Sequence, residues 1–338
     1  MAETAKILSA SPGSASAIPG LVWAFRLHAD GTAEALAVDK PIAFTHDGRL
    51  WLHFNLTDLR AQAWIEQSGL PSLAKDLLLS NDTFQQLHVI DACIYGVLSD
   101  LVRDIEHPTE ETAFLRFAMS EGLLVSARHQ AMCAADATRR VLEGGYRIAN
   151  TAALLEKLVD EVADTMDRLA SKIGSDIDDI EERIATDNIA SDMRRSLSVS
   201  RRTCVRLHRQ LSGLRVLFHR LEQKNTDHLC EDLRIHAAKL AQRLDGLDHD
   251  VVELRERSRL LEEELHFKTE EESNRHLHTL SIVTTLLLPP TLITGIFGMN
   301  TKGLPLTDVE TGFFWAMGLM ATSVALAYFF MRRMGIFK

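Results

Sequence analysis

The stretch that decides the architecture is TLSIVTTLLLPPTLITGIFGMN, residues 279–300. It carries no charge, yet it closes on two glycines, Gly295 and Gly298, and then on Met299 and Asn300. A second run, GFFWAMGLMATSVALAYFFM at 312–331, is equally free of charge. Each is about 20 residues long, and at 1.5 Å per residue each spans a hydrocarbon layer of roughly 30 Å. Both are read as transmembrane helices. Lys268 and Arg275 precede the first, and Arg332, Arg333 and Lys338 follow the second. The connection TKGLPLTDVET, 301–311, sets one Lys against two acids. Positive flanks mark the cytoplasmic side, so both termini are expected there.

Upstream the chain reads as soluble. Residues 1–19 are small, polar and broken by prolines, which predicts a mobile tail and not a signal peptide. Residues 20–150 read as one α/β domain. LVWAFRL, AEALAV, RLWLHFNL, HVIDACIYGVL, TAFLRFAM and GLLVSAR have strand composition, and AQAWIEQSGL and LAKDLLLS read as short helices. His53 falls inside a strand pattern and is expected to be packed or solvent-facing rather than to bind a metal. Cys93, Cys133, Cys204 and Cys230 are scattered without a CxxC, so neither a thiolate zinc site nor a disulfide framework is supported.

From 151 to 278 the pattern is helical. Apolar residues from Leu154 to Ile184 recur at steps of three and four, backed by an acidic face from Asp160 to Glu182. The next helix reverses the sign: eight arginines, from Arg194 to Arg220, occur with no acid between Asp192 and Glu222. A polyanion surface and a helical hairpin with complementary faces both fit; the hairpin is preferred, and a net charge of −10 argues against nucleic acid. A third helix carries a heptad-like seam, Leu233, Ala237, Leu240, Leu244, Leu247, Val251, Leu254, Leu261 and Leu265, with Ser258 the one gap. No proline interrupts it before Pro289, so it is expected to run on into the first span as a stalk.

Two spans cannot enclose a pore, so any conduction needs several copies about one axis. At 100° per residue, Leu277, Ser281, Thr284, Leu288, Thr291, Gly295 and Gly298 fall on one face of the first span. That face suits either a pore lining or close helix packing, and the pattern alone leaves both open. The second span is aromatic and aliphatic all round, with Trp315 and Tyr328 near its ends, as lipid contact requires. Followed back by sevens, the first span's face reaches Glu270, Glu263 and Glu256, which in a ring of copies would form cytoplasmic acidic rings that attract cations.

The closing residues Gly298, Met299 and Asn300, set in LPPTLITGIFGMNTKGLPL, resemble the signature of the CorA superfamily of divalent-cation transport proteins. That context, with WLHFNLTDLRAQAWI at 51–65 and the arginine-rich helix at 194–220, is similar to its ZntB-like zinc-transporter branch. The resemblance implies an inner-membrane homopentamer with a funnel-shaped cytoplasmic domain. It also implies that the first span lines the pore, the second forms an outer ring, and Asn300 forms a polar collar at the external mouth. An amide oxygen is a hard acceptor that meets the water shell of a small dication. Met299 is expected to pack, and Gly295 and Gly298 to remove bulk. The outer loop departs from the magnesium branch's acidic pattern by carrying Lys302, with Asp308 and Glu310 to offset it.

Neither span holds Asp, Glu, His or Cys. The expected cargo is therefore a hydrated ion met by Asn300, Thr291, Thr284 and Ser281, passing a narrow point at Leu288 or Leu277, with Glu263 meeting it on the inner side through water. Zinc is the expected ion, with magnesium, cobalt, nickel and cadmium as alternatives. The expected partners are other copies of the chain, lipid and the ion, with no resident cofactor. Proton coupling and a potential-driven channel both remain open, and His276 and His278 near the inner mouth face different sides of the helix. A membrane-anchored scaffold is the reading from another class. The chain has no HExxH, Walker-type loop or GxSxG, so no enzyme is expected.

Overall fold

The structure is a computed structural model of the whole chain. It describes residues 17–42, 48–90, 92–103, 111–186, 191–223, 231–299 and 311–334. Asn300, Lys302, Asp308, Glu310, Cys230 and most of the N-terminal tail lie outside the described residues. The chain divides into two compact units, Met1–Leu261 and Glu262–Lys338.

The first unit is built on seven strands: β1 (Leu21–Leu27), β2 (Ala33–Leu36), β3 (Arg49–Asn55), β4 (Gln86–Ile90), β5 (Cys93–Leu101), β6 (Thr112–Ser120) and β7 (Leu123–Arg128). Their order in the sheet is β2-β1-β3-β7-β6-β5-β4. Every pairing is antiparallel except β3 with β7, where a long crossover returns the chain beside β3. That crossover carries α1 (Leu59–Gln67) and α2 (Ser72–Leu79). Leu50, Leu52 and Phe54 of β3 pack with Ala61 and Ile65 of α1 and Ala74 and Leu78 of α2 in one core. The alternate residues of β3, Trp51 and His53, are buried on the opposite face, as the period of two requires.

His53 is packed. It stacks on Trp23 with ring centroids 4.0 Å apart, and its Nδ1 lies 2.8 Å from Ser126 Oγ, which also accepts from Trp51 Nε1. Burial holds the imidazole well below its usual range, and the Arg128 guanidinium adds to this.

Two readings are corrected here. HVIDACIYGVL is not one strand but the hairpin of β4 and β5, with Ile90 opposite Cys93 across residues 91 and 92. Asp91 alone separates the two apolar stretches, which leaves the reversal weakly marked in the sequence. The helix α3 (Cys133–Glu143) was not foreseen, and it has no side-chain cap of its own. Its first turn is met instead by Asp100 of β5, which accepts from Ala134 N at 2.8 Å and from Leu101 N at 2.7 Å. The anion sits where the helix dipole is positive.

Three long helices follow: α4 (Thr151–Ala185), α5 (Ser191–Gln223) and α6 (Glu231–Phe297). Asn150 caps α4 through Ala153 N. α5 docks on the sheet at Gly213, where an added Cβ would lie 2.5 Å from Gln85 Oε1. Gln85 Nε2 in turn donates to Ser99 Oγ and to the Gln210 carbonyl. The seam of α6 is buried at Ala237, Leu240, Leu244, Leu247, Val251 and Leu261, and Ser258 is buried in register with it.

The expected charge pairing is also corrected. The acidic face of α4 is met by α6, not by the arginines of α5. Arg243 bonds Asp160 and Asp164, Arg257 bonds Asp178 and Glu181, and Lys239 bonds Glu156. Arg215 of α5 pairs with Asp245, also on α6. α6 carries both signs at helical spacing, so it serves both neighbours, an arrangement that two sequences read as a pair do not reveal.

Burial pushes the Asp100 carboxyl up to about 7, with the two backbone N–H bonds opposing. A raised carboxyl contributes most below its unfolded value of about 4, and that contribution is lost as pH rises through 7. Asp100→Asn keeps one acceptor and cannot ionise. Relative to the parent chain, it should retain up to about 2.6 kcal/mol more stability between pH 5 and pH 8. Thermal midpoints at the two pH values check this, and parallel pH profiles would contradict it.

Candidate functional site

Two helices are long and apolar enough to cross a membrane: Arg234–Phe297, within α6, and α7 (Gly312–Arg333). The first ends between Gly295 and Gly298. α6 ends at Phe297, and Gly298 N and Met299 N close the last turn on Thr294 O and Ile296 O. Gly298 achieves this without a positive φ; a Cβ there would lie 3.0 Å from the Thr294 carbonyl. A Cβ on Gly295 would meet nothing within 4 Å of it in the single chain.

The seven face residues, Leu277, Ser281, Thr284, Leu288, Thr291, Gly295 and Gly298, are all exposed. Ile282, Leu286, Pro289, Pro290, Ile293 and Phe297 are half-covered. At 100° per residue the two sets lie about 180° apart. α7 has a half-covered stripe of its own: Gly312, Ala316, Met320, Ser323 and Ala327, ending on buried Met331. Four of those six are small, which suits close helix approach in lipid.

The hydroxyls on the first span are partly spoken for. Thr284 Oγ1 donates to Leu280 O at 2.8 Å, and Thr291 Oγ1 to Leu287 O at 2.7 Å. Their protons are thus turned into the helix, and their lone pairs remain outward as acceptors. Pro289 and Pro290 have no N–H, so the carbonyls of Thr285 and Leu286 lose their donors four residues on.

Along α6 before its membrane-length segment, the three glutamates differ. Glu256 accepts from Arg259 Nε at 3.0 Å and from its guanidinium at 2.8 Å, and that bond holds its carboxyl below the usual range. Its charge is offset within the chain by Arg259. Glu263 and Glu270 are exposed. Glu270 Oε1 lies 3.5 Å from His266 Nε2, one turn earlier. His266 was missed in the sequence, although its spacing of four from Glu270 was legible. Among the described residues no three metal-ligating side chains converge.

Residues 46–333 match the model of the CorA-like Mg2+ transporter protein family. The chain belongs to this family. The match takes in most of the α/β unit, the three long helices and both membrane-length segments. A CorA-like chain of this kind is a divalent-cation transporter, not a member of an enzyme class. One relative, the divalent cation transporter CmaX of Pseudomonas aeruginosa, is 26% identical over 319 residues, 93% of this chain and 96% of that protein. The zinc transport protein ZntB of Yersinia enterocolitica is 23% identical over 89% of this chain and 91% of its own length. The solved structure of full-length CmaX superposes with a TM-score of 0.79, covering 93% of this chain and 97% of that one at 26% identity.

Enlarging the small stripe of α7 tests its packing role. Ala327→Leu should lower the thermal stability of the purified chain by about 1–3 kcal/mol, whereas Leu319→Ala, at an exposed position, should leave it within about 0.5 kcal/mol. Equal melting of the two variants would contradict the assignment.

Proposed function

We propose that this chain moves divalent metal ions across the cell inner membrane through a pore shared by several copies, a homopentamer with a funnel-shaped cytoplasmic part. The segment 279–300 lines the pore, 312–331 surrounds it, 301–311 lies outside, and both termini are cytoplasmic. One observation carries this reading: the polar face of the first span is exposed along its length and opposite the half-covered stripe. In a lone helix in lipid, such a face is turned toward something other than hydrocarbon.

The path is lined by Asn300, Met299, Gly298, Gly295, Thr291, Leu288, Thr284, Ser281 and Leu277. None is charged, so nothing there replaces the water of a small dication. The ion travels with most of its hydration shell. The outward lone pairs of Thr284 and Thr291 and the Asn300 amide accept hydrogen bonds from that shell, while Leu288 and Leu277 narrow the way. Gly295 permits copies to approach where a side chain would stand in open space. Glu263 and Glu270 draw cations to the inner end.

Zinc is the proposed ion, supported by the likeness to ZntB over nearly the whole chain. Magnesium, with cobalt and nickel, is the second reading, favoured by the family's description and by the absence of Cys and His in the spans.

Uptake of zinc, magnesium, cobalt and nickel into proteoliposomes, with and without a pH gradient, separates the readings. Zinc uptake above the other three supports the proposal, and magnesium uptake above zinc overturns the ion assignment. Asn300→Ala should lower uptake at least about tenfold, a barrier change near 1.4 kcal/mol. A kinetically inert cobalt hexaammine complex, which mimics a hydrated dication, should block. Full uptake by the Asn300 variant would remove the collar from the mechanism.

A further inference from the structure

Among the described residues of the second unit, His266 and Glu270 on α6 are two metal-ligating side chains within ion-pair reach of each other. They are four residues apart, so they stand on one helix face, each 58% exposed, with Nε2 and Oε1 3.5 Å apart. That separation is long for a good hydrogen bond. It is close to what a tetrahedral zinc needs: ligands near 2.1 Å at the tetrahedral angle lie about 3.4 Å apart. Neighbouring ligands of an octahedral magnesium, at the same bond length but at right angles, lie about 3.0 Å apart. Donor type points the same way, since imidazole suits zinc, nickel and cobalt and is a poor partner for magnesium.

We infer that His266 and Glu270 form a two-ligand chelating site for a transition dication, zinc foremost, on the inner approach to the transport path. His266 precedes Thr284, and Glu270 precedes Leu288, by 18 residues, which is five turns at 3.6 residues per turn. The pair therefore lies on the line of the polar face, about 27 Å below it by helical rise. Lys268 and Arg275, the two basic residues between Glu262 and Thr284, fall about 180° away on the same helix. Water completes the ligand set on a single chain, and the same pair from neighbouring copies completes it in the oligomer; that second statement rests on the proposed pore.

The site gives the path selectivity that its spans lack. A hydrated ion in the pore is recognised by size and charge alone, whereas an exposed His–Glu pair discriminates by ligand chemistry. Its exposure and paired, not enclosing, ligand count favour capture with ready release.

The test is equilibrium binding to the purified full-length chain in detergent, with zinc and then magnesium competed against a metal-sensing chelator dye. His266→Ala and Glu270→Ala should each weaken zinc binding at least about tenfold. Magnesium binding should be unchanged by His266→Ala. His278→Ala, an exposed histidine on another side of the same helix, should leave zinc binding intact. Each variant is checked for its melting temperature; alanine at an exposed helical position favours the helix. Zinc binding unchanged in His266→Ala, or lost equally in His278→Ala, overturns the site. The outcome is separable from that of the pore: zinc binding that needs His266 in a chain without uptake keeps the site and sinks the transport path. Uptake that needs Asn300 with zinc binding indifferent to His266 does the reverse.

Discussion

Hydrocarbon offers no hydrogen bonds, and that constraint orders the membrane-length part of this chain. Each hydroxyl and carbonyl on the first span must be met within the helix or turned to something polar. Thr284 and Thr291 satisfy their donors on the preceding turn. Their acceptor lone pairs, the small Gly295 and the two leucines then share one exposed face, while Ile282, Leu286, Pro289, Pro290, Ile293 and Phe297 share the other. A helix with two chemically distinct sides needs two distinct neighbours. The small, half-covered stripe of α7 suits one. The other side is wet in the proposed pore, and several copies are the simplest way for a two-span chain to make it so.

The soluble unit faces a different problem, which is to hold long helices without water-exposed apolar stripes. α6 solves it with mixed chemistry. Its seam buries leucines and valine at heptad spacing, and its flanks carry Arg243 and Arg257 toward the acids of α4 and Asp245 toward Arg215 of α5. Isolated surface pairs contribute little, about 0–1 kcal/mol each, so the apolar seam holds the helices and the ion pairs fix their register.

The sequence carried much of this, unevenly. Leu21–Leu27 and Thr112–Ser120 were legible because composition and alternation agree there. The continuous α6 was legible from the absence of proline before Pro289. Three things were not. The β4–β5 hairpin is marked in the sequence by a single Asp between two apolar stretches, α3 takes its cap from Asp100 thirty-odd residues earlier, and the partner of the α4 acids is set by a three-body packing. Each depends on contacts distant in sequence, which local pattern does not encode. In the candidate path, the polar face was legible from spacing, but its opposition to a half-covered stripe needed coordinates. The bond between Glu256 and Arg259 and the approach of His266 to Glu270 also needed side chains in place.

The central claim is that the polar face of the first span meets its counterparts in other copies about a shared axis. Oxidative cross-linking of single cysteine variants in native membranes measures this most directly, compared with the unsubstituted chain. Thr284→Cys should yield disulfide-linked dimers, and with bifunctional reagents a ladder of higher multimers, while Leu286→Cys on the opposite side should not. Cross-linking at position 286 with none at 284 would turn the helix around and contradict the account.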